Sequence, residues 1–172
     1  MKHFFLSTIL LSLLFGCMEM KELSQQDVRP MIFQSEYTNY AWGYNHNGWI
    51  MESSGEVKRF QKKASWVFPD SLGYIAENDM QKNIQACDSI MAHVSPNDFT
   101  QNANKAFTCV NGILTKPKNT MADAGEHIYC FYLYDANRQK YKRFILDMTG
   151  DWSQENLAPN AKEVVEWMKT IK

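Results

Sequence analysis

The chain has 172 residues, with 18 basic side chains against 19 acidic ones and a formal net charge of −1. That length suits one domain of ordinary size with a proper core. A near-balanced charge without a dense basic patch gives no footing for a nucleic-acid partner. In chain order, Lys2 supplies a positive charge ahead of an apolar run from Phe4 to Phe15, broken only by Ser7, Thr8 and Ser12. As a helix that run would measure about 18 Å, well short of a hydrocarbon core of roughly 30 Å. It therefore reads as the apolar region of a signal peptide, not as a membrane span. No second segment reaches spanning length.

The run ends in Leu14-Phe15-Gly16-Cys17. This junction resembles the lipobox of bacterial lipoproteins, although Phe15 is bulkier than the residue usual at its position. The resemblance covers only the N-terminus. It implies a diacylglyceryl thioether on the Cys17 sulfur, cleavage before Cys17 and acylation of the new amino terminus. It also implies residence in the cell envelope, on the outer membrane where the cell has one. Several acyl chains on one residue hold a protein stably where one alone is marginal. The expected organisation is a signal peptide over 1–16, a lipidated tether over 17–30 and one globular domain over 31–172.

Residues 31–61 read as a three-stranded meander. Tyr40, Trp42 and Tyr44 alternate with Ala41 and Gly43, the period of a strand. Asn45-His46-Asn47-Gly48 carries a hairpin turn signal, and Ser54-Gly55 carries another. With a two-residue second turn, Trp49 pairs with Phe60, and the face holding Tyr40, Trp42, Tyr44, Trp49 and Met51 becomes core. Trp66-Val67-Phe68 suggests a short strand stopped by Pro69.

Beyond Glu77, Met80, Ile84, Cys87, Met91 and Val94 form one helical stripe. Ser95-Pro96-Asn97-Asp98 has the chemistry of a helix start, with Phe99, Ala103, Phe107, Val110 and Leu114 as the next stripe. Residues 116–125 read as a loop. A hairpin of strands over 127–134 and 141–148 follows. A last helix begins near Pro159 and presents Ala161, Val164, Val165, Met168 and Ile171. The expectation is an α+β fold: an antiparallel sheet, built from the N-terminal meander and the C-terminal hairpin, with about three helices on one face.

Chemistry is sparse. Trp42 and Trp49 are candidate ligand contacts if their rings form an exposed sugar-binding platform, but strand parity favours the core. His46 is a candidate contact at a turn tip, where turn chemistry is the simpler reason for a polar residue. His127 and Cys130 are three apart in a strand, so they point to opposite faces and make a poor metal pair. Cys130 reads as the more exposed thiol and Cys87 as a packed one. Three cysteines remain beside Cys17, and their pairing cannot be read from sequence. No hydrolase elbow, phosphate-binding loop or dinucleotide fingerprint is present. No cofactor or catalytic residue is indicated.

The leading expectation is a non-catalytic envelope lipoprotein that binds a protein or glycan or serves a structural role. An immunity or inhibitor protein blocking an envelope enzyme and a small envelope hydrolase are the alternatives.

Overall fold

Met31, Ile32 and Phe33 are apolar in succession, the pattern of a strand covered on both faces. In a computed structural model, which describes residues 31–61 and 64–172, they open the strand at the centre of the sheet. The expected signal peptide, lipobox with Cys17 and tether all fall outside the described residues. Nine strands follow: β1 (Ile32–Asn39), β2 (Asn45–Met51), β3 (Glu56–Gln61), β4 (Tyr74–Ala76), β5 (Ser89–His93), β6 (Lys118–Asn119), β7 (Glu126–Asp135), β8 (Lys140–Gly150) and β9 (Trp152–Glu155). Among the described residues the three helices are α1 (Glu77–Gln85), α2 (Pro96–Phe107) and α3 (Ala161–Thr170). The strands run in the order β5-β3-β2-β1-β7-β8-β9-β6, with β4 on the β8 edge, and every pairing is antiparallel. The α+β class, the meander and the C-terminal hairpin are therefore as expected.

The helices do not share one face, the arrangement expected, but divide between the two, because β1 is apolar on both sides at its start. Phe99, Ala103 and Ala106 of α2 and Val164, Val165 and Met168 of α3 share one core with Phe33, Met51 and Phe131. The Phe33 ring sits between the helices, 5.6 Å from Phe99 and 5.1 Å from Trp167. Met80 and Ile84 of α1 belong to a second core on the other face, with Ile32, Ile50, Phe60, Trp66 and Tyr132. The start of α2 has the expected cap, Ser95 Oγ accepting from the Asp98 amide at 3.1 Å with Pro96 in the first turn. The apolar stripe of α3 is covered, with Val164 and Met168 fully buried.

Several boundaries differ from the sequence reading. The first turn is residues 40–44, between paired Asn39 and Asn45, and not the Asn47-Gly48 step. Gly48 lies inside β2 because the Phe60 ring packs over it. A Cβ there would overlap the Ser35 carbonyl oxygen and stand 2.9 Å from that ring. A glycine in a strand marks such a close approach.

The second turn has three residues between Glu52 and Glu56, with Gly55 at φ +82°. One extra residue moves Trp49 opposite Arg59 and Phe60 opposite Gly48. Trp49 and Phe60 therefore face opposite cores. Such a one-residue change reverses every side chain downstream.

The stripe from Met80 to Val94 is not one helix. α1 stops at Gln85, and Ser89–His93 instead adds an edge strand to β3. Trp66-Val67-Phe68 is not a strand, though Trp66 is buried. Among the described residues no helix is long and apolar enough to cross a membrane.

Candidate functional site at the β1–β2 end

The last half of β1 and the loop after it combine side chains that the rest of the sheet does not. Asn39 ends the strand by turning its own backbone. Its Oδ1 accepts from the Ala41 amide at 2.8 Å, an arrangement that asparagine favours in turns. Its Nδ2 donates to the Tyr37 hydroxyl at 3.0 Å and to the Asp123 carbonyl at 3.1 Å, tying the loop to the segment before β7. Gly43 takes φ +92°, a conformation open to glycine and costly elsewhere.

On this frame the aromatic side chains point outward. Trp42 is 83% exposed and Tyr40 is 68% exposed. Tyr44 is 39% exposed, its ring 5.4 Å from that of Tyr40 at an interplanar angle of 34°. The core placement expected for Tyr40, Trp42 and Tyr44 is therefore corrected. Their alternation has the period of a strand, but Asn39 and Gly43 make it a loop. A cavity of about 360 Å³ beside them is lined by Tyr37, Asn39, Trp42, Gly43, Tyr44 and Asn45.

His46 takes the reverse correction. It is no turn tip but a strand residue with 0% exposure, ringed by Phe60, Trp66 and Phe68 at 4.9, 5.2 and 5.0 Å. Beneath the loop its Nε2 lies 3.2 Å from Oε2 of Glu36, itself 3% exposed. Gln34 Nε2 donates to the same oxygen at 2.8 Å, and Arg143 reaches the other carboxylate oxygen at 3.5 Å. Nδ1 of His46 is buried without a partner. Glu36 thus holds three donors in a region where an unmade hydrogen bond is expensive. Trp49 is also buried, on the face covered by α2 and α3. Of the three ligand contacts considered from sequence, only Trp42 reaches solvent freely.

Two further groupings bear on catalysis. Ser35 Oγ and His127 Nε2 are 2.8 Å apart. Burial, with Lys169 adding to it, holds the His127 ring below the usual histidine range, which favours a neutral ring. Yet Ser35 lies in a strand paired on both sides, so the backbone amides around it serve the ladder and do not form an oxyanion hole. Cys130, expected to be the exposed thiol, is fully buried, and burial pushes its pKa far up. A nucleophilic cysteine needs the opposite environment. Among the described residues Cys109 and Cys130 are free thiols. Among the described residues no group of three or more His, Cys, Asp or Glu side chains is placed to hold a metal ion.

Glu36 and Gln34 were not singled out from sequence. The signal was present in the alternation of Ile32, Gln34 and Glu36 against Met31, Phe33 and Ser35. It was masked because the aromatic alternation over 40–44 looked like the strand. No protein-family model, curated protein or solved structure matches this chain.

Proposed function

We propose that the protein is a membrane-anchored lipoprotein of the bacterial envelope whose domain works as a non-catalytic binding module, with the β1–β2 loop as its binding end. The carrying observation is the cluster of outward-facing Tyr40, Trp42 and Tyr44 on a loop braced by Asn39. Exposed rings of this size burden a soluble surface unless something docks on them. The anchor reading rests on Leu14-Phe15-Gly16-Cys17. Its geometry agrees with the loop's role. The N-terminal segment joins β1 at Met31, and the loop leaves the other end of that eight-residue strand, roughly 25 Å away at about 3.3 Å per residue. A domain tethered at Met31 can thus present the loop away from its own membrane.

An inhibitor or immunity role has a separate support. A cavity of about 590 Å³ beside β8 is lined by Leu72, Leu114 and Phe144 among others. Leu72 is largely exposed there, and Lys142 and Arg143 line the same cavity, a mixed apolar and polar surface that suits a protein partner.

The anchor is tested by fatty-acid labelling and fractionation. Wild type incorporates radioactive fatty acid and sediments with membranes, whereas Cys17→Ala does neither or persists as uncleaved precursor. Equal labelling of the two proteins contradicts it.

A further inference from the structure

The chemistry of the cavity at the β1–β2 loop identifies a ligand class. None of its lining residues, Tyr37, Asn39, Trp42, Gly43, Tyr44 and Asn45, carries a charge at neutral pH. About 360 Å³ falls within the roughly 300–1,000 Å³ of small-molecule sites, towards the lower end. Aromatic side chains offer broad apolar faces with polar edges, and these match a molecule that has both C–H faces and hydroxyl groups. The hydroxyls of Tyr40 and Tyr44, the indole N–H of Trp42 and the amide nitrogen of Asn45 make no hydrogen bond with the described residues. They remain available as donors, and the phenols also as acceptors, for a ligand that both donates and accepts.

We propose that this loop binds a neutral glycan in the cavity, with a sugar ring laid against Trp42 and beside Tyr44. The proposal rests on the binding-module reading for the location of the site, but not on the lipid anchor.

Competing occupants fit less well. A phosphorylated, sulfated or carboxylated ligand calls for a cation, and residues 39–47 contain no lysine or arginine. A lipid surface favours a loop with large aliphatic side chains or basic residues beside the aromatics. This loop instead has Ala41 as its only aliphatic side chain and is bordered by Asn39, Asn45 and Asn47.

The site is also preformed. The Asn39 turn, the link from Asn39 to Asp123 and the contact between the Tyr40 and Tyr44 rings fix the loop before any ligand arrives. That lowers the ordering cost of binding. The Tyr44 ring in turn lies 6.2 Å from His46, so the platform stands on the buried Glu36–His46 pair.

The experiment is calorimetric titration of the full-length chain in detergent with chitotetraose, cellotetraose and maltotetraose, and with a sulfated oligosaccharide for contrast. At least one neutral tetraose should bind with saturation. Trp42→Ala should weaken it at least tenfold, and Trp42→Phe should restore much of the loss. The sulfated probe should bind more weakly than the neutral one. The proposal is overturned if no neutral tetraose binds, if Trp42→Ala binds as wild type does, or if the sulfated probe is preferred. Quenching by brominated lipid that disappears in Trp42→Phe would also overturn it, by placing the loop in a bilayer. If lipid labelling of Cys17 succeeds while every glycan fails, the anchor reading stands and only the ligand class is lost.

Discussion

The two halves of β1 are built for different purposes. At the Met31 end, Met31, Ile32 and Phe33 are buried in succession, and both cores draw on them. At the Asn39 end the buried side chains are Gln34, Ser35, Glu36 and Asn39, and the chain then turns out into Tyr40 and Trp42. Apolar burial on both faces stabilises the fold with no directional demand. Buried polar groups stabilise only while every partner stays in place. A strand that changes from the first kind to the second within a few residues separates stability from presentation. The Met31 half holds the sheet together, and the Asn39 half positions a loop.

Substitutions can sharpen or break that contrast. The largest effect is expected at Phe33, which is fully buried between α2 and α3. Phe33→Ala should lower the urea-unfolding free energy by about 3–5 kcal/mol, the cost of a large aromatic cavity. A loss below about 1 kcal/mol would mean that the two helices are not seated on this face.

A smaller effect is expected at Glu36. Glu36→Ala strands Gln34, His46 and Arg143 and should cost about 2–3 kcal/mol, given about 1–3 kcal/mol for an unmet buried polar group. Glu36→Gln should cost less, because its amide oxygen can still accept from Gln34 or His46. Equal losses for the two variants would show that the charge matters and not the acceptor.

Much of the fold was legible in the sequence because it follows from periodicity and caps. The stripe of α3, the Ser95–Pro96 start of α2 and the β7–β8 hairpin all carry local signals strong enough to survive in the folded chain. What escaped was decided by long-range contact. Gly48 looks like a turn residue until the Phe60 ring is placed over it. Ser89–His93 continues a helical stripe, yet it pairs with β3 because that edge is there to be extended. The fates of Trp42 and His46, only four residues apart, were interchanged for the same reason. An alternating aromatic run in a loop and a polar residue in a buried strand both contradict their local pattern. At the candidate site, Trp42 and His46 were visible as possible contacts, but the grouping of His46 and Arg143 around Glu36 was not. Their meeting depends on β1, β2 and β8 lying in one sheet.

The central claim is that the aromatic loop presents and does not stabilise, and the most direct test is the urea midpoint of Trp42→Ala in the full-length chain. With the ring 83% exposed, the midpoint and slope should match wild type, a change within about 0.5 kcal/mol. A loss above about 1 kcal/mol would make Trp42 part of the fold's support and contradict the account.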